Sequence, residues 1–503
     1  MLPTRGQFAR NVVLNWTAML AGIVVPFFLS PYTVHCLGNA VYGIWILVVS
    51  SVSYLHLLDF GLRSAVITFI AKARTQGLPD ESRRVVSGAF WIRVLTSVFI
   101  LILSLIAAVV FPRIFHVPAE LRAAARAAVW LTGLGLAFTL MSGVPSAVLA
   151  AQHRFDLLSY VMLSRTLVRA AGFVVILHFH HGIAALAAWE ASIAVALCGI
   201  LGLLCAKQYP ELSNFLRAPE ADVIRRLWQY SAYAFLITVG GVLIYYSDNL
   251  VVGLFEKPAV VTFYAIAANL ILYTREAVAA MSNTFVPIAS SYDAQGKKEH
   301  LRSLLVRGSR ASLAVCLPIG IILFVRGGTF IGLWMGRDYA ELSSALVRIL
   351  LLNQVLSIAN LTINGISYGL EKHRPIASWI LIEAVSNLAL SVFLVQRIGV
   401  YGVAWGTVIP GVVINLVCWP RYAKKLLDVS YLDYFWNGWG WAALTAIPFA
   451  LACSWQENHL STPTLLVFCL QTAAILPFCI LPSALLFRRE LARYIPQRFR
   501  LAF

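Results

Sequence analysis

Long apolar runs separated by short polar, mostly basic segments organise the whole chain. Runs at 11–34, 40–62, 85–111, 127–150, 157–178, 183–206, 229–254, 259–288, 311–334, 340–369, 376–396, 400–420, 436–454 and 463–487 each approach or exceed the roughly 20 residues that a membrane-spanning helix needs. The pattern predicts an all-α polytopic membrane protein of about fourteen helices. The short alternating strands of a transmembrane β-barrel are absent from it. No gap between runs is long enough for a soluble domain, and the largest, 207–228 and 289–310, are expected to be short amphipathic connectors. The first run is long for the apolar core of a signal peptide and lacks a small-residue cleavage pattern, so it is read as a retained span.

Composition removes the water-soluble alternatives. The 503 residues are 60% hydrophobic and 12% charged, against about 45–50% and 25% in soluble chains. Mean hydropathy is +0.79. The net charge of +17, from 39 Lys and Arg against 22 Asp and Glu, follows the positive-inside rule. With the N-terminus in the cytoplasm, about 27 basic residues fall in inner segments and about 6 in outer ones. An even number of spans then keeps both termini inside. No Lys/Arg-rich arm with interleaved aromatics is present, so no nucleic-acid partner is expected. None of the eight Cys forms a CxxC, and the His178-Phe179-His180-His181 run has no neighbouring Cys or acid. No metal site and no cofactor is expected.

The second half of the chain echoes the first. AAQHRFDLLSY (150–160) stands 220 residues before GLEKHRPIASW (369–379), and HGIAALAAW (181–189) about 217 before RIGVYGVAW (397–405). Same-sense repeats fit two pseudo-symmetric six-helix lobes, with two C-terminal helices in addition. The expected organisation is residues 1–228 for the first lobe and its connector, 229–425 for the second lobe, and 426–503 for two extra helices and a basic tail. Two such halves point to an alternating-access transporter.

Three strings carry a family resemblance. Leu37-Gly38, Tyr42-Gly43-Ile44-Trp45 and Leu58-Asp59-Phe60-Gly61-Leu62 resemble the first hairpin of the Wzx-type polysaccharide flippases, in the multidrug/oligosaccharidyl-lipid/polysaccharide exporter superfamily. YSDNLVVGLFEKPAVVTFYAIAANL (246–270) is similar to the start of that family's second half, and GVYGVAWGTVI (399–409) to its turn between spans 11 and 12. Asn249 departs from the pattern, which carries Arg at that point. The resemblance implies a bacterial inner-membrane flippase that moves a polyprenyl-diphosphate-linked glycan to the outer leaflet for O-antigen, capsule or exopolysaccharide synthesis. It implies the bilayer and a polysaccharide polymerase machinery as partners.

Charges within spans are costly and functional by default. A diphosphate calls for Arg, whose planar fork matches phosphate oxygens. Arg275, near the middle of its span, is the leading substrate-binding candidate. Arg165 and Arg169 are four apart and share a helix face, and Arg93 lies about 12 Å into its span. Arg326 and Arg348 read as structural or interfacial. Asp248, Glu276, Asp59 and Arg63 are candidates for ion coupling or gating, with Asp59 and Arg63 expected to pair at i,i+4 around Gly61. Two rival readings are a cation-coupled multidrug antiporter of the same superfamily and a membrane polymerase or ligase. The first would favour acids and aromatics in its cleft. The second would call for a large outer loop or an acidic metal motif, and the chain has neither; it also lacks a P-loop.

Overall fold

The computed structural model describes residues 5–212, 219–282, 284–372 and 374–484, and every regular element among them is helical. The chain divides into two compact units, Met1–Thr262 and Phe263–Phe503. The first contains α1 (Arg5–Ser53), a 3-10 turn (Tyr54–Asp59), α2 (Leu62–Thr75), α3 (Pro79–Ile114), α4 (Arg122–Ala151), α5 (Phe155–His178), α6 (Ile183–Gln208) and α7 (Ala221–Phe255). Helix α8 (Pro258–Ser282) opens in the first unit and continues into the second. There it is followed by α9 (Phe285–Ala294), α10 (Lys298–Trp334), α11 (Arg337–Ala359), α12 (Leu361–Gly369), α13 (Arg374–Ile398), α14 (Val400–Val413), α15 (Trp419–Leu427), α16 (Trp441–His459) and α17 (Leu465–Ile475). The division between units falls after α7, which packs on α1, α2 and α3; the lobe boundary expected at 228/229 lies within α7.

Among the described residues, eleven segments are long and apolar enough to cross a membrane. The first, Val13–Thr75, merges two expected spans. The predicted turn at Leu37-Gly38 is a kink at one residue, Gly38, with φ 74° and ψ 162°, a conformation open to glycine. The expected spans 259–288 and 436–454 fall on α8 and α16, which are not among the eleven. Helix α8 carries Arg275 and Glu276, and α16 ends in Gln456, Glu457 and His459. Apolarity and length alone therefore give eleven rather than fourteen. The expected connector 289–310 is largely helical, because α9 runs to Ala294 and α10 starts at Lys298.

Packing is inverted relative to a water-soluble bundle. On α3, Leu95, Phe99, Ile102 and Ile106 are exposed, while Arg93, Thr96, Ser97 and Ser104 are buried. Ser97 Oγ donates to the Ala137 carbonyl at 3.1 Å, so the inward polar face is used for helix contact. In water this distribution would forfeit the hydrophobic term on every turn; in hydrocarbon it keeps polar groups off the lipid.

The predicted repeat has a local counterpart. After α4, His153 sits at φ 62°, and the N–H groups of His153 and Arg154 donate back to Ala150 O and Leu149 O, both at 2.9 Å. After α12, Glu371 sits at φ 56°, and Glu371 and Lys372 donate to Tyr368 O at 3.1 Å and Ser367 O at 2.9 Å. Both are the same left-handed helix cap. His373, in the second of the paired strings, lies outside the described residues.

Arg326 ties α10 to α16, α17 and the segment joining them. Its side chain is fully buried. Nε donates to Glu457 at 3.0 Å, one terminal nitrogen to Gln456 at 2.9 Å, and the other to Thr462 at 3.0 Å and Gln471 at 2.8 Å. The guanidinium also lies 4.7 Å from the centre of the Phe468 ring. Arg348 donates to the Phe324 carbonyl at 2.9 Å. Both have local structural work, as their positions predict.

Candidate functional site: a cationic cavity in the first unit

The site begins with the 3-10 turn after α1. With three residues per turn, His56 and Asp59 lie on one side of it. Phe60 (φ 49°) and Gly61 (φ 67°) then take left-handed conformations, so the helix stops before α2 begins. This overturns the expected Asp59–Arg63 pair, since i,i+4 proximity requires an unbroken helix. Asp59 instead pairs with Arg93 of α3, which also donates to the Asp59 carbonyl at 3.3 Å. Arg63 is exposed, and its Nε makes one long bond of 3.4 Å to Ser146. Phe60 is held against the rings of Trp228 and Phe235 of α7, at 4.6 and 5.1 Å.

Helices α1, α4, α5 and α6 close around this turn and leave a cavity of about 270 Å³. Its polar lining is Ser53, His56, Thr132, Thr139, Arg165, Arg169 and Glu190, with Trp45 among the apolar walls. Arg165 and Arg169 enter together because four residues separate them on α5. Arg169 Nε pairs with Glu190 of α6, and its guanidinium lies 4.9 Å from the centre of the Phe173 ring. Phe173 in turn meets Trp45 edge-on at 6.2 Å.

A single glycine permits that pairing. A Cβ on Gly172 would stand 1.9 Å from Trp189 Nε1. With hydrogen there instead, the indole lies against α5 and donates to the Val168 carbonyl at 3.2 Å. Glu190, the next residue, is thereby brought to Arg169.

Arg165 differs from the other two arginines. It has no hydrogen-bond or ion-pair partner among the described residues, and its charge is felt by His56 together with those of Asp59 and Arg93. Three guanidiniums and two carboxylates leave one positive charge in excess, with Arg165 its only unpaired carrier in the cluster. Arg165 is exposed at the mouth of the cavity, where an unpaired guanidinium is open to an incoming anion.

The structure thus places Arg165 and Arg169 in the cavity wall, with the Arg93–Asp59 pair behind it, near His56. It does not bring the remaining candidates to this cavity. Asp248 is buried on α7, where its charge acts on Tyr54. Its neighbour Asn249 donates to Ser50 at 3.2 Å. Arg275 is half-buried on α8 in the second unit, where its charge acts on Glu383 of α13, and Glu276 is exposed. The pairing role of Glu190 and the place of His56 in the cavity wall were missed. The spacing of His56 and Asp59 was the available signal, but it identifies a shared face only once the turn is known to be 3-10.

Residues 37–344 match the family described as polysaccharide biosynthesis protein. The chain belongs to that family. Among curated relatives is EpsK of Bacillus subtilis, named an uncharacterized membrane protein. It is 22% identical over 491 residues, covering 94% of this chain and 96% of EpsK. Agl15 of Haloferax volcanii, named a probable low-salt glycan biosynthesis flippase, is 24% identical over 250 residues, half of this chain and 52% of Agl15. Among solved structures, an inward-facing multidrug resistance MATE transporter of the MOP superfamily aligns with a TM-score of 0.72 at 14% identity, covering 82% of this chain and 95% of its own. The lipid II flippase MurJ, in an inward closed conformation, aligns with a TM-score of 0.70 at 13% identity, covering 96% and 99%. The fold is therefore that of the MOP-superfamily transporters, and the chain is a multi-pass membrane protein. The named activities among these relatives are transport and flipping, not catalysis.

Proposed function

We propose that this chain is a flippase that carries a polyprenyl-diphosphate-linked oligosaccharide from the cytoplasmic to the outer leaflet by alternating access. The glycan is destined for O-antigen, capsule or exopolysaccharide, and the chain works in the bacterial inner membrane with both termini in the cytoplasm. The observation that carries this reading is Arg165, an exposed guanidinium with no partner among the described residues, at the wall of a polar cavity between apolar helices. Each sugar hydroxyl taken into hydrocarbon without a partner costs several kcal/mol. A polar cleft for the head group removes that cost while the lipid tail stays in the bilayer. In this reading Arg165 meets the diphosphate, the paired Arg169 holds the wall beside it, and the Arg93–Asp59 pair fixes the turn that carries His56. Arg275, beside Glu383, serves the second unit in the same way. An inside-negative potential favours outward movement of the anion by about 2.3 kcal/mol per charge per 100 mV.

The excess positive charge of the cavity argues against a cation antiporter, whose site would favour carboxylates and aromatics. The extent of the MurJ alignment, which takes in nearly the whole chain, also favours the flippase over the MATE-type exporter. The test is the leaflet distribution of lipid-linked oligosaccharide in a strain lacking the gene. Accumulation on the cytoplasmic face, reversed by the wild-type gene, is the expected outcome. Normal appearance of completed units outside, in a strain with no second flippase, would refute the reading.

A further inference from the structure

Three irregular helical segments of the second unit meet at one buried asparagine. Helix α11 stops at Asn360, whose N–H donates both to Ser357 O at 3.1 Å and to Leu356 O at 3.3 Å, and α12 starts at the next residue. Asn360 Nδ2 donates to Asn415 Oδ1 at 2.8 Å, and Asn415 lies in the π-helical turn Ile414–Cys418 that joins α14 to α15. The Tyr434 hydroxyl donates to Asn360 Oδ1 from a second π-helical stretch, Asp433–Gly440. Asn415 also donates to Asn353 at 3.0 Å and to the Gly411 carbonyl at 2.9 Å.

Two further features mark this level of the unit. The apolar core divides around it. Ile363, Ile366, Trp419 and Tyr422 belong to one cluster, whereas Val278 and Ile358 belong to another, and the continuous helix α10 runs through both, with Leu301 and Leu305 in the first and Cys316 in the second. In addition, Ser309, Ser312, Thr362 and Asn364 have buried side-chain oxygens without hydrogen-bond partners. Buried polar groups are nearly always satisfied, so spare acceptors beside an amide network are places where bonds can be exchanged. π-Turns add a residue to the helical ladder and offer alternative backbone registers at small cost.

We propose that the Asn360–Asn415–Tyr434 seam is a hinge, on which α12 and α15 swing relative to α11 and α14. Asn360 and Asn415 keep the bend in discrete positions by trading partners among the seam's hydroxyls and amides. The device gives the conformational change that the transport reading requires, but its test needs no substrate.

Spin labels at Tyr401 and Lys425, both exposed, bracket the rod formed by α14, the π-turn and α15. They would be introduced by Tyr401→Cys and Lys425→Cys in the full chain after its eight native cysteines are replaced. Double electron–electron resonance is expected to give two distance populations. Asn415→Leu should reduce the minor one about tenfold. Asn360→Ser, a milder change, should shift the ratio in the same direction and serves if the leucine variant fails to fold. A single population in the unsubstituted seam, or two populations that neither substitution alters, would overturn the hinge. Because no ligand is involved, either result leaves the choice of transported substrate untouched.

Discussion

The Arg169–Glu190 pair makes a claim that a double-mutant cycle can decide. The side chains are 36% and 19% exposed, so the pair is neither a free surface bridge nor fully enclosed. Exposed pairs contribute about 0.2–1 kcal/mol, and removing one partner of a buried pair costs about 3–5 kcal/mol. Partial exposure places the loss for Arg169→Gln or Glu190→Gln at about 1–3 kcal/mol. The double substitution removes both charges and should recover about 1–2 kcal/mol of that loss through the coupling term. Thermal unfolding of the purified chain reads this directly: each single variant melts several degrees low, and the double variant melts above the sum of the two losses. Anion binding should split the singles by sign. Glu190→Gln frees Arg169 and should tighten binding of inorganic pyrophosphate by about five- to thirty-fold, equivalent to about 1–2 kcal/mol. Arg169→Gln should not tighten it. Strictly additive melting losses together with equal effects on pyrophosphate would refute the pairing.

Three other predictions follow from particular contacts. Arg326→Met should cost about 1–3 kcal/mol, since Glu457, left without its cation, is partly exposed, and Arg326→Lys should recover only part, because lysine lacks the fork that reaches four partners; unfolding temperature and protease cleavage near α17 report both. Gly172→Val should lower transport by driving Trp189 off α5, with partial recovery on adding Trp189→Ala, read at matched expression. Asp59→Asn should destabilise the chain by about 1.5–3 kcal/mol through its loss to buried Arg93, while Arg63→Ala stays within about 0.5 kcal/mol of wild type; the reverse order would restore the local pair that the left-handed residues exclude.

The outline of the fold was legible because apolar runs map directly onto lipid-facing helix surface, as the exposed Leu95, Phe99 and Ile102 of α3 illustrate. Arg165 and Arg169 were legible as a shared face for the same reason of helical period. The failures have one physical source. Local spacing says nothing of backbone reversals such as Phe60 and Gly61, so Asp59 was given to Arg63, four residues away, when tertiary packing gives it to Arg93. The partnerships of Arg169 with Glu190 and of Arg326 with Glu457, 131 residues on, likewise exist only after helices have met. A span's charges can be found from sequence; which of them remain unpaired cannot.

The central claim is that Arg165 supplies the free positive charge for a lipid-linked diphosphate. Its most direct test is the rate at which proteoliposomes carrying the purified chain move a short polyprenyl-diphosphate-linked glycan between leaflets. Charge-assisted phosphate contacts contribute about 1.5–3 kcal/mol. Arg165→Gln should therefore slow translocation at least tenfold with the unfolding temperature unchanged, and Arg165→Lys should be intermediate. A wild-type rate in Arg165→Gln, at equal protein and lipid content, would contradict the account.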